Sequence, residues 1–193
     1  MHRILPLVLI LSGFVTVLPC SRLVAQTADV VYVATPHDVV AKMLEMAKVT
    51  KDDVVYDLGC GDGRIVVTAA KKYGCKAVGY DIEAKRIKES LRNVKKAGVE
   101  KLVSIERKDI FTLDLRPASV VTLYLLPKMN VKLIPQLEKL KPGSRIVCHD
   151  FDIEGVTPDK VVRLRSKEDN VDHTIYLFTA PLKKEKPSKE LKL

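Results

Sequence analysis

VVYDLGCGDGRIVV, residues 54–67, decides the fold. Its first residues favour an extended chain and end beside an acid, Asp57. Gly59, Gly61 and Gly63 follow, and then Ile65, Val66, Ala69 and Ala70 recur at helical spacing. A strand that passes through three glycines into a helix brings its backbone close to something. Only glycine leaves open the space where a Cβ would stand.

Outward from this stretch, strands and helices alternate. The first helix ends at Gly74, a residue type suited to the left-handed turn after a helix. Lys76–Asp81 reads as a second strand and Glu83–Lys96 as a helix closed by Gly98. Leu102–Arg107 alternates as a third strand. Ser119–Leu126 is a continuous apolar run, as expected of a strand buried on both faces. Met129–Leu140 reads as a helix, kinked or restarted at Pro135 and stopped by Pro142-Gly143. Arg145–Phe151 is a fifth strand, and Val161–Arg165 with Thr174–Thr179 forms a final pair. Upstream, Thr35 is positioned to cap a helix with Pro36 at its first position, and Val39, Val40, Met43, Leu44 and Ala47 share one face. The pattern predicts an α/β fold with a mostly parallel sheet.

The bulk composition agrees with one globular domain: 193 residues, 47% hydrophobic and 30% charged. The formal charge of +9 admits an acidic partner. The lysines, however, fall on helix faces and in the tail, and no tryptophan or RNA-type aromatic motif accompanies them. Nucleic acid is therefore not the expected partner. MHRILPLVLILSGFVTVLPCSRLVA, residues 1–25, has a basic start, an apolar stretch and then small or polar residues. It reads as a signal peptide cleaved after Ala25 or as an uncleaved membrane anchor. The domain is expected over residues 26–182, and KKEKPSKELKL, 183–193, as a basic frayed tail. Cys60, Cys75 and Cys148 show neither disulfide nor metal-site spacing, and no metal site is expected. His149 and His173 lie far apart in apparent strands and read as packed or surface residues.

In parallel sheets ligands bind beyond the carboxyl ends of the strands. The residues found there are Asp57 with Gly59, Gly61 and Gly63, then Asp81, Asp109, Tyr124–Pro127 and His149–Phe151. Asp81 follows Gly59 by 22 residues, close to the spacing of a ribose-binding acid. A dinucleotide fingerprint would need glycine or alanine at position 64, which is Arg64. A loop with acids at Asp57 and Asp62 suits an ammonium group better than a pyrophosphate. S-adenosyl-L-methionine has a ribose, an adenine, an amino-acid end and a cationic sulfur, and so gives every one of these acceptors a partner.

DLGCGDGR, followed by GYDIE and KDIF, resembles the class I S-adenosylmethionine-dependent methyltransferases. YVATP (32–36), VVYDLGCGDGRIV (54–66), VVTLYLLPKMN (120–130), LKPGSRIVCHDF (140–151) and DHTIYLF (172–178) are similar to one subfamily. That group includes small archaeal protein-lysine methyltransferases and the mitochondrial enzymes that methylate the ATP synthase c-subunit. The resemblance covers about residues 30–180. Two departures stand out: Ala34 replaces an expected proline, and Cys148-His149-Asp150 replaces Ser-His-Glu.

The resemblance implies a Rossmann-like seven-strand sheet, mostly parallel with a C-terminal antiparallel strand pair. It implies that Tyr32, Thr35 and Pro36 close over the cofactor, and that Asp57, Gly59 and Gly61 wall its methionine part. Asp81 would bind the ribose hydroxyls, Asp109 with Ile110 the adenine, and Tyr124–Pro127 would line the passage to the methyl group. A protein substrate presenting lysine is the implied partner, met by a monomer.

A lysine acceptor must lose a proton before it has a lone pair. Tyr124 is the first candidate for orienting it and Asp150 the second. After the fourth strand LYLLP lacks the polar side chain that grips an exocyclic amine, and no Pro-Cys nucleophile is present. Only EGVTPD separates the fifth and sixth strands, leaving little chain for a lid. The alternatives are methyl transfer to RNA or a small molecule, and a non-catalytic binder of the cofactor. The start of the chain implies a membrane-associated or exported protein, and cofactor supply favours a domain facing the cytosol.

Overall fold

The computed structural model describes residues 32–185. The proposed leader and most of the basic tail lie outside them. Seven strands and four helices follow in order: α1 (His37–Met46), β1 (Val54–Leu58), α2 (Arg64–Tyr73), β2 (Lys76–Asp81), α3 (Ala84–Ala97), β3 (Val103–Arg107), β4 (Val120–Leu123), α4 (Pro127–Leu137), β5 (Arg145–His149), β6 (Lys160–Arg165) and β7 (Asp172–Thr179). A single 3-10 turn, Ile110–Thr112, follows β3. The sheet order is β3-β2-β1-β4-β5-β7-β6. The first five strands pair in parallel, and β7 runs antiparallel to both β5 and β6. This is the seven-strand Rossmann-like arrangement expected from the sequence.

The period of two along each strand divides the core. Val55, Ala77, Val103, Val120, Val147 and Ile175 pack on one face with α1, α2 and α3. Tyr56, Leu58, Val121, Leu123, Ile146, Cys148 and Phe178 point to the other, where α4 covers them through Leu133 and Leu137. With both faces covered, β4 is buried along its whole length. Cys60, Cys75 and Cys148 are free and buried. Among the described residues no helix is long and apolar enough to cross a membrane.

Several boundaries differ from the sequence reading, and the larger differences have identifiable causes. Helix α1 starts one residue later: Pro36 is its N-cap and Thr35 makes no capping bond, because the Thr35 hydroxyl is engaged by His149 at 3.1 Å. Strand β4 ends at Leu123, not Leu126, since Leu126 becomes the N-cap of α4 and Pro127 takes the first helical position. Pro135 neither stops nor restarts α4. It is the third residue from the C-terminal end of a single helix, so only the one hydrogen bond its missing N–H would make is lost. At the C-terminal side, hydrogen bonds continue past residue 182: Thr157 donates to Lys183 O at 2.8 Å and Glu185 donates to Gly155 O at 2.9 Å.

Candidate active site

The turn after β1 is built from the backbone. The amides of Gly59 and Cys60 both donate to Tyr80 O at 2.8 Å, and Gly63 donates to Cys60 O at 2.8 Å. Gly59 and Gly61 adopt φ of +82° and +54°, the left-handed region that glycine alone enters freely. A Cβ at Gly59 would stand 2.9 Å from Leu125 Cδ2, and one at Gly61 would overlap the Tyr32 ring. So the glycines admit two neighbours as well as a ligand: Leu125 from the β4 side and Tyr32 from the segment before α1.

Asp81 ties the turn to the next strand. Its Oδ2 accepts from the Gly61 amide and its Oδ1 from the Glu83 amide, both at 2.9 Å. Each oxygen keeps a second lone pair. Asp57 is buried beneath the loop and accepts from the Thr122 hydroxyl at 2.7 Å. The register puts Asp57 between Gly79 of β2 and Thr122 of β4. Burial, with the charges of Asp81 and Asp62 added to it and the Thr122 hydrogen bond opposing, pushes the Asp57 carboxyl up to about 7.

The sequence reading grouped Asp62 with Asp57 as an acid for a cationic ligand. Asp62 is already paired. Arg64 grips it through Nε at 3.0 Å and Nη2 at 2.8 Å, and sends Nη1 to Thr35 O at 2.8 Å. Arg64 thus fastens the segment Tyr32–Pro36 to the glycine turn. A second arginine, Arg86 of α3, lies 4.4 Å from the centroid of Tyr32. Neither arginine has a role in the sequence reading, although Arg64 stands at the position that departs from the dinucleotide fingerprint.

Asp109 caps the turn after β3, accepting from the Phe111 amide at 2.9 Å, and Ile110 is buried beside it. At the end of β4 the Tyr124 ring packs against His149, with centroids 4.0 Å apart, and stacks on Phe151 at 6.3 Å. Burial first, and then the Asp150 and Asp169 carboxylates, hold the Tyr124 phenol above its ordinary value. Its hydroxyl faces the Asp150 carboxylate. Tyr32, Thr35, Gly59, Gly61, Asp81 and Arg64 are thereby one connected group, while Tyr124, His149 and Asp150 form a second, joined to the first through Thr35. Thr122, Arg64, Arg86 and His173 are the residues of this region to which the sequence reading assigns no role.

The arrangement suits a cationic nucleoside ligand. Two buried carboxylates stand at the ends of β1 and β2 with lone pairs to spare. The loop between them has no side chain at Gly59 and Gly61, and the pressure on Asp57 to hold its proton is relieved by a positive charge nearby. S-adenosyl-L-methionine has that chemistry.

Comparison with known proteins agrees. Residues 57–160 match the model of the ANTKMT methyltransferase domain. A protein-lysine N-methyltransferase of Saccharolobus islandicus is 50% identical over 149 residues, 76% of this chain and 91% of that one. The Homo sapiens lysine N-methyltransferase of the ATP synthase c-subunit is 30% identical over 123 residues, 63% of this chain and 52% of its own length. A crystal structure described as an RNA methyltransferase from Salinibacter ruber, in complex with S-adenosyl-L-homocysteine, is 45% identical. It superposes with a TM-score of 0.72 over 81% of this chain and 97% of that one.

This last likeness corrects the expectation that nucleic acid is not a partner. The missing aromatic motif and the missing base-gripping side chain bear only on stacking and exocyclic-amine recognition. A chain with a formal charge of +9 can meet phosphates without either. Fold, glycine turn and sequence together make the assignment: the chain belongs to the ANTKMT methyltransferase-domain family and is a class I S-adenosyl-L-methionine-dependent methyltransferase.

Proposed function

We propose that this enzyme methylates lysine side chains of proteins. The observation that carries the reading is the 50% identity along nearly the whole length of the archaeal protein-lysine N-methyltransferase. When bound, S-adenosyl-L-methionine supplies a methyl group on a cationic sulfur that is already a good leaving group. The chain's own residues then have to bind, orient and desolvate.

In this reading Asp57, Gly59 and Gly61 would stand beside the methionine part, Asp81 would accept from the ribose hydroxyls, and Asp109 with Ile110 would meet the adenine. Tyr32, Thr35 and Pro36 would cover the site, held by Arg64 through Thr35 O. Tyr124–Pro127 would line the acceptor's approach. A free lysine amine has a pKa of about 10.4, so it arrives charged. Burial away from water disfavours that charge; the Tyr124 hydroxyl offers an oxygen to orient the amine, and the Asp150 carboxylate one to orient it or accept its proton. Positioning supplies most of the remaining acceleration.

The domain of residues 26–182 would be held at a membrane by residues 1–25, with its site facing the compartment that makes the cofactor. A second reading, transfer to RNA, is favoured by the Salinibacter ruber structure. One experiment separates them. The full chain is incubated with methyl-labelled S-adenosyl-L-methionine and a lysate, with Asp81→Ala as control. Label that survives nuclease, is lost to protease and is recovered as methyl-lysine supports the proposal. Label that is lost to nuclease and falls steeply with salt overturns it in favour of RNA.

A further inference from the structure

Beside the acceptor region lies a cluster of which methyl transfer, as read above, uses Asp150 and leaves His149 and His173 without a role. Antiparallel pairing of β5 and β7 brings together two histidines that are 24 residues apart in sequence. His149 Nε2 lies 2.9 Å from His173 Nδ1, His173 Nδ1 lies 2.9 Å from Asp150 Oδ2, and His149 Nε2 lies 3.3 Å from the same oxygen. We propose that His149, His173 and Asp150 form a binding site for a divalent transition-metal ion of the zinc class.

Hydrogen bonds alone leave this triangle incomplete. A ring N–H points along one fixed direction, so each nitrogen proton serves one edge well. With both nitrogens protonated, their N–H groups face each other across 2.9 Å. With one protonated, one of the three edges has no proton. An ion satisfies all three atoms at once. At bond lengths of about 2.1 Å, edges of this size subtend roughly 90° to 105° at the ion, within the range of three ligands on one face of its coordination sphere.

Every atom opposite the triangle is already held. The Nδ1 of His149 meets the Thr35 hydroxyl at 3.1 Å, and the Nε2 of His173 meets Asp169 Oδ2 at 3.1 Å. Asp150 Oδ1 accepts from the Thr174 amide at 2.9 Å. Ligating histidines are held in just this way, by an oxygen on the far nitrogen. Asp150 takes a left-handed φ of +58°, uncommon for a residue other than glycine. His149 is fully buried, so its ring is held in place on every side. Two imidazoles and one carboxylate suit zinc-class ions and not magnesium or calcium, which want oxygens. The side chain of Asp150 is 26% exposed, which gives an ion its way in and leaves a position open toward solvent.

The test uses the full, untagged chain stripped of metal by a chelator. Zinc is titrated calorimetrically, and cobalt(II) is followed by its visible absorption. We expect one ion per chain, histidine-type cobalt bands, and a melting midpoint that rises with zinc. His173→Ala should abolish binding. Asp169→Asn, an exposed change outside the triangle, should weaken binding by about 10- to 100-fold without unfolding the chain. Absence of uptake, or uptake unchanged in Asp169→Asn, would overturn the site and leave a hydrogen-bonded network.

Discussion

The ring of Tyr32 occupies the place where a side chain on Gly61 would begin. The glycine turn therefore does two jobs: it lets a ligand approach on one side, and it accepts the cover segment on the other. Gly61→Ala tests this directly. Alanine at a φ of +54° costs about 1–2 kcal/mol, and its methyl would also push Tyr32 away from Arg86. The expected result is a chain that still folds, with a modest loss of melting temperature, and binds S-adenosyl-L-methionine at least tenfold more weakly by calorimetry. Unchanged affinity would mean that the cover plays no part in holding the ligand.

The buried Asp57 carboxyl predicts a pH dependence with a definite sign. Its folded value, about 7, lies above that of an unfolded aspartate, so the folded chain holds a proton that the unfolded chain releases. This term stabilises the free protein fully below pH 4 and is lost as pH rises through about 7. Binding of a cationic ligand runs the other way, because it favours the ionised carboxylate. Affinity for S-adenosyl-L-methionine should fall roughly tenfold per pH unit below about 7 and level off above it. Asp57→Asn should flatten the profile, and a wild-type profile that is already flat from pH 5.5 to 8 would refute the assignment.

Arg64 holds Asp62 in a two-point grip while its third nitrogen holds Thr35 O. Both partners of the ion pair are mostly covered, with side chains 19% and 21% exposed. Removing the guanidinium leaves a carboxylate without its partner beside Tyr32. Arg64→Ala should cost about 1.5–3 kcal/mol in a denaturant titration. Arg64→Lys should recover little of this, since an ammonium cannot span two carboxylate oxygens and a carbonyl. Full rescue by lysine would show that only charge matters here.

Asp53 offers a contrast at the opposite end of β1, away from the loop. It receives Arg145 Nη2 at 2.8 Å and the Ser119 hydroxyl at 2.6 Å, and Arg145 also reaches Ala47 O at 2.9 Å. Burial works to raise the carboxyl, but the Arg145 and Ser119 bonds outweigh it and hold the acid below its ordinary value. That stabilisation is present above pH 4 and lost as pH falls through the lowered value. Asp53→Asn should lower stability by about 2 kcal/mol at pH 7 and leave cofactor affinity unchanged. A loss of affinity equal to that of Asp57→Asn would mean the two ends of the strand are coupled.

These sites differ in how far they could be read from the chain. The strands and helices were legible because a period of two and a period near four are distinct, and because Gly74 and Gly98 mark helix ends. Asp57 and Asp81 were legible from their place after strands. The Asp62–Arg64 grip was not: an acid two residues before an arginine is common, and nothing local says whether the acid faces a ligand or its neighbour. His149 and His173 were harder still. Their meeting depends on the register of β5 against β7, and a slip of one residue would send one ring to the other face. Thr35 was misread for a related reason. Its sequence context fits a helix cap, but a buried histidine from a strand 114 residues away competes for the same hydroxyl.

Tyr124 carries the last prediction. Its ring is fixed between His149 and Phe151, so Tyr124→Phe keeps the packing and removes only the hydroxyl that faces Asp150. If that oxygen orients the acceptor amine, turnover should fall by roughly 10²-fold, while affinity for S-adenosyl-L-methionine and the melting temperature stay near wild type. The split between kcat and cofactor affinity is the deciding measurement. A variant that loses cofactor affinity in proportion to turnover would place Tyr124 in the cofactor's wall. One that loses neither would move the search for the orienting group to Asp150, whose substitution by asparagine should then carry the whole effect on kcat.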